Sequence, residues 1–194
     1  GTHALDIGAM TVFLYCWRER EMILDLNEEI SGVRMMTSYI RVGGVAKDAT
    51  RPWLDGIRDF IDYFPAKVDE YERLLTRNPI WLDRTEGIGV FTREEAIDWS
   101  LSGPALRASG VNWDIRKSHP YSGYDNYKFD VPVFKNGDIY DRYRVRVEEM
   151  RQSRIIIKQA MERLPTGDYK TPDNKVSLPD RDTLHTSMEA LIHH

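Results

Sequence analysis

The sequence contains a single cysteine, Cys16, among its 194 residues. One cysteine excludes a disulfide framework and a metal site ligated by several cysteines within this chain. Long hydrophobic runs are also missing. The most apolar stretch, residues 4–17, is interrupted by Asp6 and is shorter than the roughly 20 residues that a membrane-spanning helix needs. The same stretch lacks a basic leader and a small-residue cleavage site, so no signal peptide is predicted.

An excess of positive charge is absent too. The net charge of −4 at pH 7 gives no electrostatic reason to expect a nucleic-acid partner, because such binders usually carry a basic face. With 41% hydrophobic and 30% charged residues, the composition is typical of a folded globular chain and not of a disordered one. The length is sufficient for one sizeable hydrophobic core.

Short motifs for cofactor chemistry are missing as well. The segment EGIGVFT offers Gly87 and Gly89, but Thr92 stands where a dinucleotide-binding loop requires its third glycine. The sequence has no phosphate-binding loop and no zinc-protease spacing of histidines. Nothing of this kind indicates that the chain binds a nucleotide or a metal ion by itself.

Hydrophobic periodicity predicts a mainly α chain with minor β structure and long irregular loops. Helices are predicted from apolar spacing or capping patterns over about residues 2–28, 52–64, 92–99 and 139–164. We expect Gly32 to end the first helix region and Pro65 to kink or break the second, although its apolar stripe continues beyond the proline. In the irregular middle of the chain, only KFDVPV resembles a strand.

Two polar features on predicted helices have open interpretations. Arg154 lies on the apolar seam of the long helix, where we expect it to extend along the surface or pair with a carboxylate; a functional role is the alternative. His185, Glu189 and His193 step by four residues near the end of the chain and would share one helix face. A polar face that meets another segment is the simpler interpretation, and a metal site is the alternative.

Neither end of the sequence shows the usual boundary of a helix. The first predicted helix has Thr2 as a possible cap but no polar lead-in, and TLHTSMEALIHH has a helical pattern without a Gly or Pro stop. We therefore expect residues 1–194 to be a single segment of a longer protein, truncated at both ends.

Several longer segments carry a family resemblance. They are GTHALDIGAMT, WREREMILDL, SYIRVGGV, SGPALRASGVNWDIRKSHPY, YDRYRVRVEEMRQS and TSMEALIHH. In this order and at similar intervals they resemble the D-type subunit of respiratory complex I, the 49-kilodalton subunit family of NADH-quinone oxidoreductase. The resemblance implies a helical core like that of the large subunit of nickel-iron hydrogenases. The two cysteine pairs that hold the metal centre of those hydrogenases are absent here.

The resemblance implies a catalytic role for Asp6. In this family the aspartate of the T/S-H-A-x-D motif lines the quinone cavity, pairs with a histidine on a preceding loop and matters for proton uptake. Thr2, one helical turn away, is expected to support the same site. A carboxylate among apolar neighbours needs such a partner from elsewhere. The alternative is that His3 or Thr2 satisfies Asp6 locally and that Asp6 only fixes the helix.

A second region is expected to face an iron-sulfur cluster. The segment RMMTSYIRVGG has Met36 where many family members have a histidine beside the terminal tetranuclear cluster, which the neighbouring small subunit holds. Since methionine has no titrating proton, we predict that the potential of this cluster does not depend on pH between about pH 6 and 8. Arg34 and Arg41 flank the segment and are expected to meet the cluster subunit or solvent.

The resemblance also implies the role of the whole subunit. It is expected to serve electron transfer to quinone, coupled to proton translocation, while binding no flavin, nicotinamide or metal itself. Expected partners are the small iron-sulfur subunit, the C-type subunit of the complex and the membrane subunit at the quinone entry, at the cytoplasmic side of a bacterial membrane. The isolated segment is expected to be inactive. Two alternatives remain open, a large subunit of a membrane-bound nickel-iron hydrogenase and a purely structural helical scaffold.

Overall fold

The computed structural model describes all 194 residues and shows a mainly helical chain. The helices are α1 (Thr2–Ile7), α2 (Met10–Ser31), α3 (Arg51–Leu75), α4 (Pro79–Asp83), α5 (Arg93–Asp98), α6 (Gly103–Ala108), α7 (Ile115–Ser118), α8 (Ile139–Glu162), α9 (Arg181–Thr186) and α10 (Met188–His193). A hairpin of two-residue strands, β1 (Ile40–Arg41) and β2 (Gly44–Val45), precedes α3, and a 3₁₀ turn covers Tyr124–Asn126. The predicted fold class, mainly α with minor β and long loops, is confirmed.

The first predicted helix is divided into α1 and α2, so the expectation of one helix over about 2–28 was wrong. Gly8 adopts a left-handed conformation with φ of +103°, and its N–H bonds back to the carbonyl of Leu5 at 2.9 Å. This is a common way for a helix to end, because glycine enters the left-handed region without steric cost. As predicted, Gly32, with φ of +79°, follows the end of α2.

Helix α3 runs without interruption through Pro65, so a break at this residue, one of the two expected outcomes, was wrong, and the predicted end at residue 64 was too early. The apolar stripe that continues beyond the proline is confirmed, because Val68, Tyr71 and Leu75 are all buried. Of the two expectations for Arg154, pairing with a carboxylate was wrong, and the side chain is half-buried. Its Nε donates to the backbone carbonyl of Ile61, at 2.7 Å, on α3.

The predicted capping box is confirmed, whereas the end of the long helix and the predicted strand differ from the structure. The capping box is present, with Thr92 Oγ1 accepting from the Glu95 N–H at 3.2 Å and the Glu95 carboxylate accepting from the Thr92 N–H at 2.9 Å. The long helix ends two residues earlier than predicted. The strand prediction for KFDVPV was wrong, because no strand pairs with it and the Asp130 N–H instead donates to Gln152 Oε1 on α8 at 2.9 Å.

The chain divides into two compact units. One comprises Gly1–Glu19 and Asp59–Arg163, and the other comprises Arg20–Arg58 and Leu164–His194. A buried cluster of Ala4, Val12, Leu75 and Trp81 forms part of the core of the first unit. None of the helices combines the length and apolar character that crossing a bilayer requires.

The second unit is built around the hairpin and the segment near the C-terminus. Gly44 bridges to Lys170, and the Val45 N–H donates to the Tyr169 carbonyl at 3.0 Å. A side chain at Gly44 would collide with the backbone of that segment, so glycine is required at this position. The predicted last helix is divided at Ser187 into α9 and α10.

This division affects the alternative of a metal site at the end of the chain. His185 lies on α9, whereas Glu189 and His193 lie on α10. The expectation that they share one helix face was therefore wrong, and no group of three metal-ligating side chains is found in the structure.

Candidate functional site

Asp6 lies on α1, close to the end of that helix, and its side chain is exposed. No hydrogen bond or ion pair within the chain engages its carboxylate. The alternative in which Thr2 or His3 satisfies Asp6 locally therefore has no support in the contacts, although the charge of Asp6 acts on His3. The carboxylate is free to accept a hydrogen bond from a group outside this chain.

Large apolar side chains adjoin Asp6 in the sequence and are exposed like it. Leu5 precedes it on α1, while Met10 and Leu14 are 57% and 56% exposed on the first turns of α2. Large contiguous patches of exposed apolar side chains mark surfaces that contact another molecule or another segment. An unpaired carboxylate beside such side chains can serve as a hydrogen-bonding group at the edge of an apolar cavity.

Thr2 is the first residue of α1 and lies one helical turn before Asp6. It is exposed, and it makes no hydrogen bond to Asp6. The structure thus brings the two predicted residues to neighbouring turns of one short helix without joining them. Support of Asp6 by Thr2 stays a prediction.

His3 and Trp81 connect α1 to the core of the first unit. Their ring centroids lie 5.5 Å apart with an interplanar angle of 77°. Trp81 in turn packs edge-on against Tyr143 of α8, at 5.1 Å between ring centroids. Partial burial lowers the pKa of His3, Arg146 and Arg142 act in the same direction, and the charge of Asp6 opposes them.

Glu19 was not among the residues predicted from the sequence, yet it is one of the most buried side chains of the chain, at 2% exposed. Its carboxylate accepts from Arg18 Nε at 2.6 Å, from the Tyr63 hydroxyl at 3.1 Å and from the Tyr71 hydroxyl. Burial, and then the bond to Glu19, raises the pKa of Tyr71. The available signal was helical register, because Glu19 falls two turns after the buried Val12.

The residues predicted to face the cluster subunit lie in the second unit. Met36 is 84% exposed in the loop after α2. Arg41 lies on β1, and its Nε donates to the Ser38 carbonyl at 3.0 Å, with no carboxylate partner. The Arg34 guanidinium, by contrast, pairs within the chain with three carboxylates of α2, those of Glu21, Asp25 and Glu28.

A second buried charged cluster lies in the segment SGPALRASGVNWDIRK. Arg107 is 5% exposed and pairs with Glu149 of α8. Asp114 is equally buried and is held by Arg116 through Nη2 at 2.6 Å and Nε at 3.0 Å. These bonds lower the pKa of Asp114. The four charges line a cavity of about 480 Å³ and neutralise one another in pairs.

The chain is mainly helical, and its helix α1 carries an exposed carboxylate without a partner in the chain. Comparison with known proteins identifies the family. The model of the family described as respiratory-chain NADH dehydrogenase, 49 Kd subunit, matches residues 6–194. The chain belongs to this family.

Curated relatives match this chain over its full length, and they include D-type subunits of NADH-quinone oxidoreductase. The chain is 54% identical over 194 residues to the D-type subunit numbered 1 of Solibacter usitatus, covering 100% of this chain and 47% of the relative. It is 53% identical over 194 residues to the D-type subunit numbered 2 of Koribacter versatilis, covering 100% of this chain and 48% of that protein. The D-type subunit numbered 1 of Herpetosiphon aurantiacus is 55% identical over 197 residues, again with 100% of this chain and 47% of the relative covered. The chain spans about half the length of the curated relatives it matches.

Proposed function

We propose that this chain forms one wall of the quinone-binding cavity of an NADH-quinone oxidoreductase, beside a terminal iron-sulfur cluster held by a neighbouring subunit. The names of the relatives support the class of complex. The observation that carries the proposal is the state of Asp6, an exposed carboxylate without a partner in its own chain, next to exposed apolar residues. A quinone has an apolar body and two carbonyl oxygens, so such a surface suits its chemistry.

The proposed chemistry of Asp6 is proton handling. Reduction of a quinone to a quinol consumes two electrons and two protons, one proton for each oxygen. The electrons come from the neighbouring subunit's cluster, and this chain supplies no flavin, nicotinamide or metal. The Asp6 carboxylate takes a proton from solvent and passes it toward one quinone oxygen, directly or through a histidine outside this chain, and the second proton reaches the other oxygen from a group outside this chain. Thr2 supports the carboxylate from the preceding helical turn.

The proposed setting is a peripheral position on the cytoplasmic side of a bacterial membrane, within a proton-translocating complex. The partners are the small iron-sulfur subunit, the C-type subunit and the membrane subunit at the quinone entry. Met36, Arg34 and Arg41 belong to the surface that we assign to the cluster subunit. The exposure of Met36 and the absence of a carboxylate partner for Arg41 support this assignment. The segment alone carries out no turnover.

Replacing Asp6 in the complete complex tests the proposal. Asp6→Asn keeps the size of the side chain but removes its proton chemistry, so we expect quinone reduction to fall by about 100-fold. Reduction of a water-soluble artificial acceptor, which takes electrons before the quinone site, should stay at the wild-type rate. Co-purification of the other subunits should be unchanged.

The matched control is Asp98→Asn, which alters an exposed carboxylate on α5 in the same unit and should leave both activities intact. Wild-type quinone reduction in Asp6→Asn would refute the proposed role and favour the scaffold alternative. The hydrogenase alternative has no support, because the matching family and relatives are subunits of NADH-quinone oxidoreductase.

A further inference from the structure

Helix α1, which carries Asp6, depends on contacts with the rest of its unit. It has six residues. Isolated helices much shorter than about 12 residues are not stable in water, because few hydrogen bonds offset the cost of nucleation. The position of Asp6 is therefore determined by whatever holds α1 against the core.

Few side chains of α1 hold this helix against the core. Ala4 is buried but contributes only a methyl group, and Ile7 packs partly against the same cluster. His3 adds the single ring contact of the helix, which is its edge-on packing against Trp81 at 5.5 Å. Aromatic pairs of this geometry contribute to stability beyond the area that they bury.

Trp81 packs on its other side against α8. It is 3% exposed and packs on Tyr143, whose hydroxyl lies 3.0 Å from Thr76 Oγ1. The Tyr140 hydroxyl donates to the Thr76 carbonyl at 2.9 Å and completes this support. The indole Nε1 of Trp81 is buried without a hydrogen-bond partner, so the indole serves this site through the packing of its rings.

His3 lies beside Asp6, because residues three apart on a helix are neighbours on its surface. The charged side chains that face His3 are Asp6 on its own helix and Arg142 and Arg146 on α8. None of them forms an ion pair with the imidazole. The ring is thus held by its packing on Trp81, and not by a charge partner.

We infer that His3, through its packing on Trp81, is a positioning residue that fixes the place of Asp6 in the cavity. The inference rests on the proposed function for its effect on turnover, but the contact itself is independent of that function. In this role His3 needs an aromatic ring that packs on Trp81, and it does not need a titrating proton.

Two substitutions of His3 in the complete complex distinguish a role of the aromatic ring from a role of the titrating proton. His3→Ala removes the ring and should lower kcat for quinone reduction by about tenfold with little change in KM, since a misplacement of about 1 Å is enough for such losses. His3→Phe keeps a ring for Trp81 but carries no proton, and it should restore most of kcat with an unaltered pH profile. His119→Ala, an exposed histidine elsewhere in the unit, is the matched control.

Hydrogen exchange of the amides of residues 2–7 in the same complexes measures the position of α1 without reference to activity. We expect faster exchange in His3→Ala and wild-type exchange in His3→Phe. Unchanged exchange in His3→Ala would overturn the inference, as would a His3→Phe variant that is as impaired as His3→Ala. If Asp6→Asn is fully active while His3→Ala loosens α1, the proposed function fails and the contact between His3 and Trp81 stands.

Discussion

Arg154 Nε donates to the carbonyl oxygen of Ile61, at 2.7 Å, and Ile61 is the residue four positions before Pro65. In an uninterrupted helix this carbonyl would accept from the N–H of residue 65, which proline lacks. The guanidinium of α8 therefore supplies the hydrogen bond that the proline removes from α3. This contact satisfies the Ile61 carbonyl within the continuous helix α3 and accounts for the half-buried position of Arg154.

A double-mutant cycle tests this relationship. Arg154→Met keeps the aliphatic stem but leaves the Ile61 carbonyl without a donor, and it should lower the free energy of unfolding by about 1–3 kcal/mol. In a Pro65→Ala background residue 65 regains its N–H, so the same change should cost about 1 kcal/mol less. Urea denaturation of the four proteins gives the coupling energy. Equal costs in both backgrounds would contradict the account, and Lys158→Met on the same helix is the control.

Lowering the pH should remove the stability that the ion pair between Asp114 and Arg116 contributes. The pKa of Asp114 lies below its ordinary value of 3.8 because Arg116 bonds the ionised form. The unfolded chain therefore binds this proton first as pH falls, and the stabilisation that is present above about pH 3.8 is lost below it. Asp114→Asn should lower the free energy of unfolding by about 2 kcal/mol at pH 7. The difference in unfolding free energy between this variant and the wild type should shrink between pH 5 and pH 2.

Denaturation at several pH values measures this difference. Asp83→Asn, which alters an exposed carboxylate on α4, should show no such convergence. A constant difference between Asp114→Asn and wild type across the whole range would exclude Asp114 as the group responsible.

The redox potential of the neighbouring cluster tests the assignment of Met36. Wild-type complex should show a potential that is independent of pH between about pH 6 and 8, because a thioether has no proton to release. Met36→His introduces an imidazole and should add a slope of up to about 59 mV per pH unit. Redox titration followed by electron paramagnetic resonance measures both.

Met35→His is the matched control, since it places the same group one residue earlier in the loop. A clear slope in the wild type would refute the prediction. A slope that is equal in both variants would mean that Met36 has no special position relative to the cluster.

Sequence patterns predicted those parts of the fold that depend on local interactions. The capping box at Thr92 and the apolar stripe of α3 involve neighbours within a few turns, and both appear as predicted. The Ile61 carbonyl, which Pro65 cannot bond, accepts from a donor 93 residues away from Ile61 along the chain, which no local pattern contains. The strand predicted in KFDVPV fails for a related reason, because a strand requires a pairing partner and the folded chain provides a glutamine side chain instead.

In the candidate site, too, the sequence predicted some features, whereas others depend on contacts between distant residues. A family motif pointed to Asp6, and the structure adds that this carboxylate is exposed and unpaired. The packing of His3 on Trp81 and the burial of Glu19 between two tyrosines both join residues more than 40 positions apart. Such pairs follow from tertiary packing, so the contacts of His3 and Glu19 are evident only in the folded chain.

The central claim is that Asp6 belongs to a quinone cavity, and a structure of the complete complex with quinone bound tests it most directly. We predict that the Asp6 carboxylate lies within about 2.6–3.2 Å of the quinone headgroup or of a side chain that bonds that headgroup. A carboxylate that faces bulk solvent, or that bonds only to Thr2 and His3 of its own helix, would contradict the account.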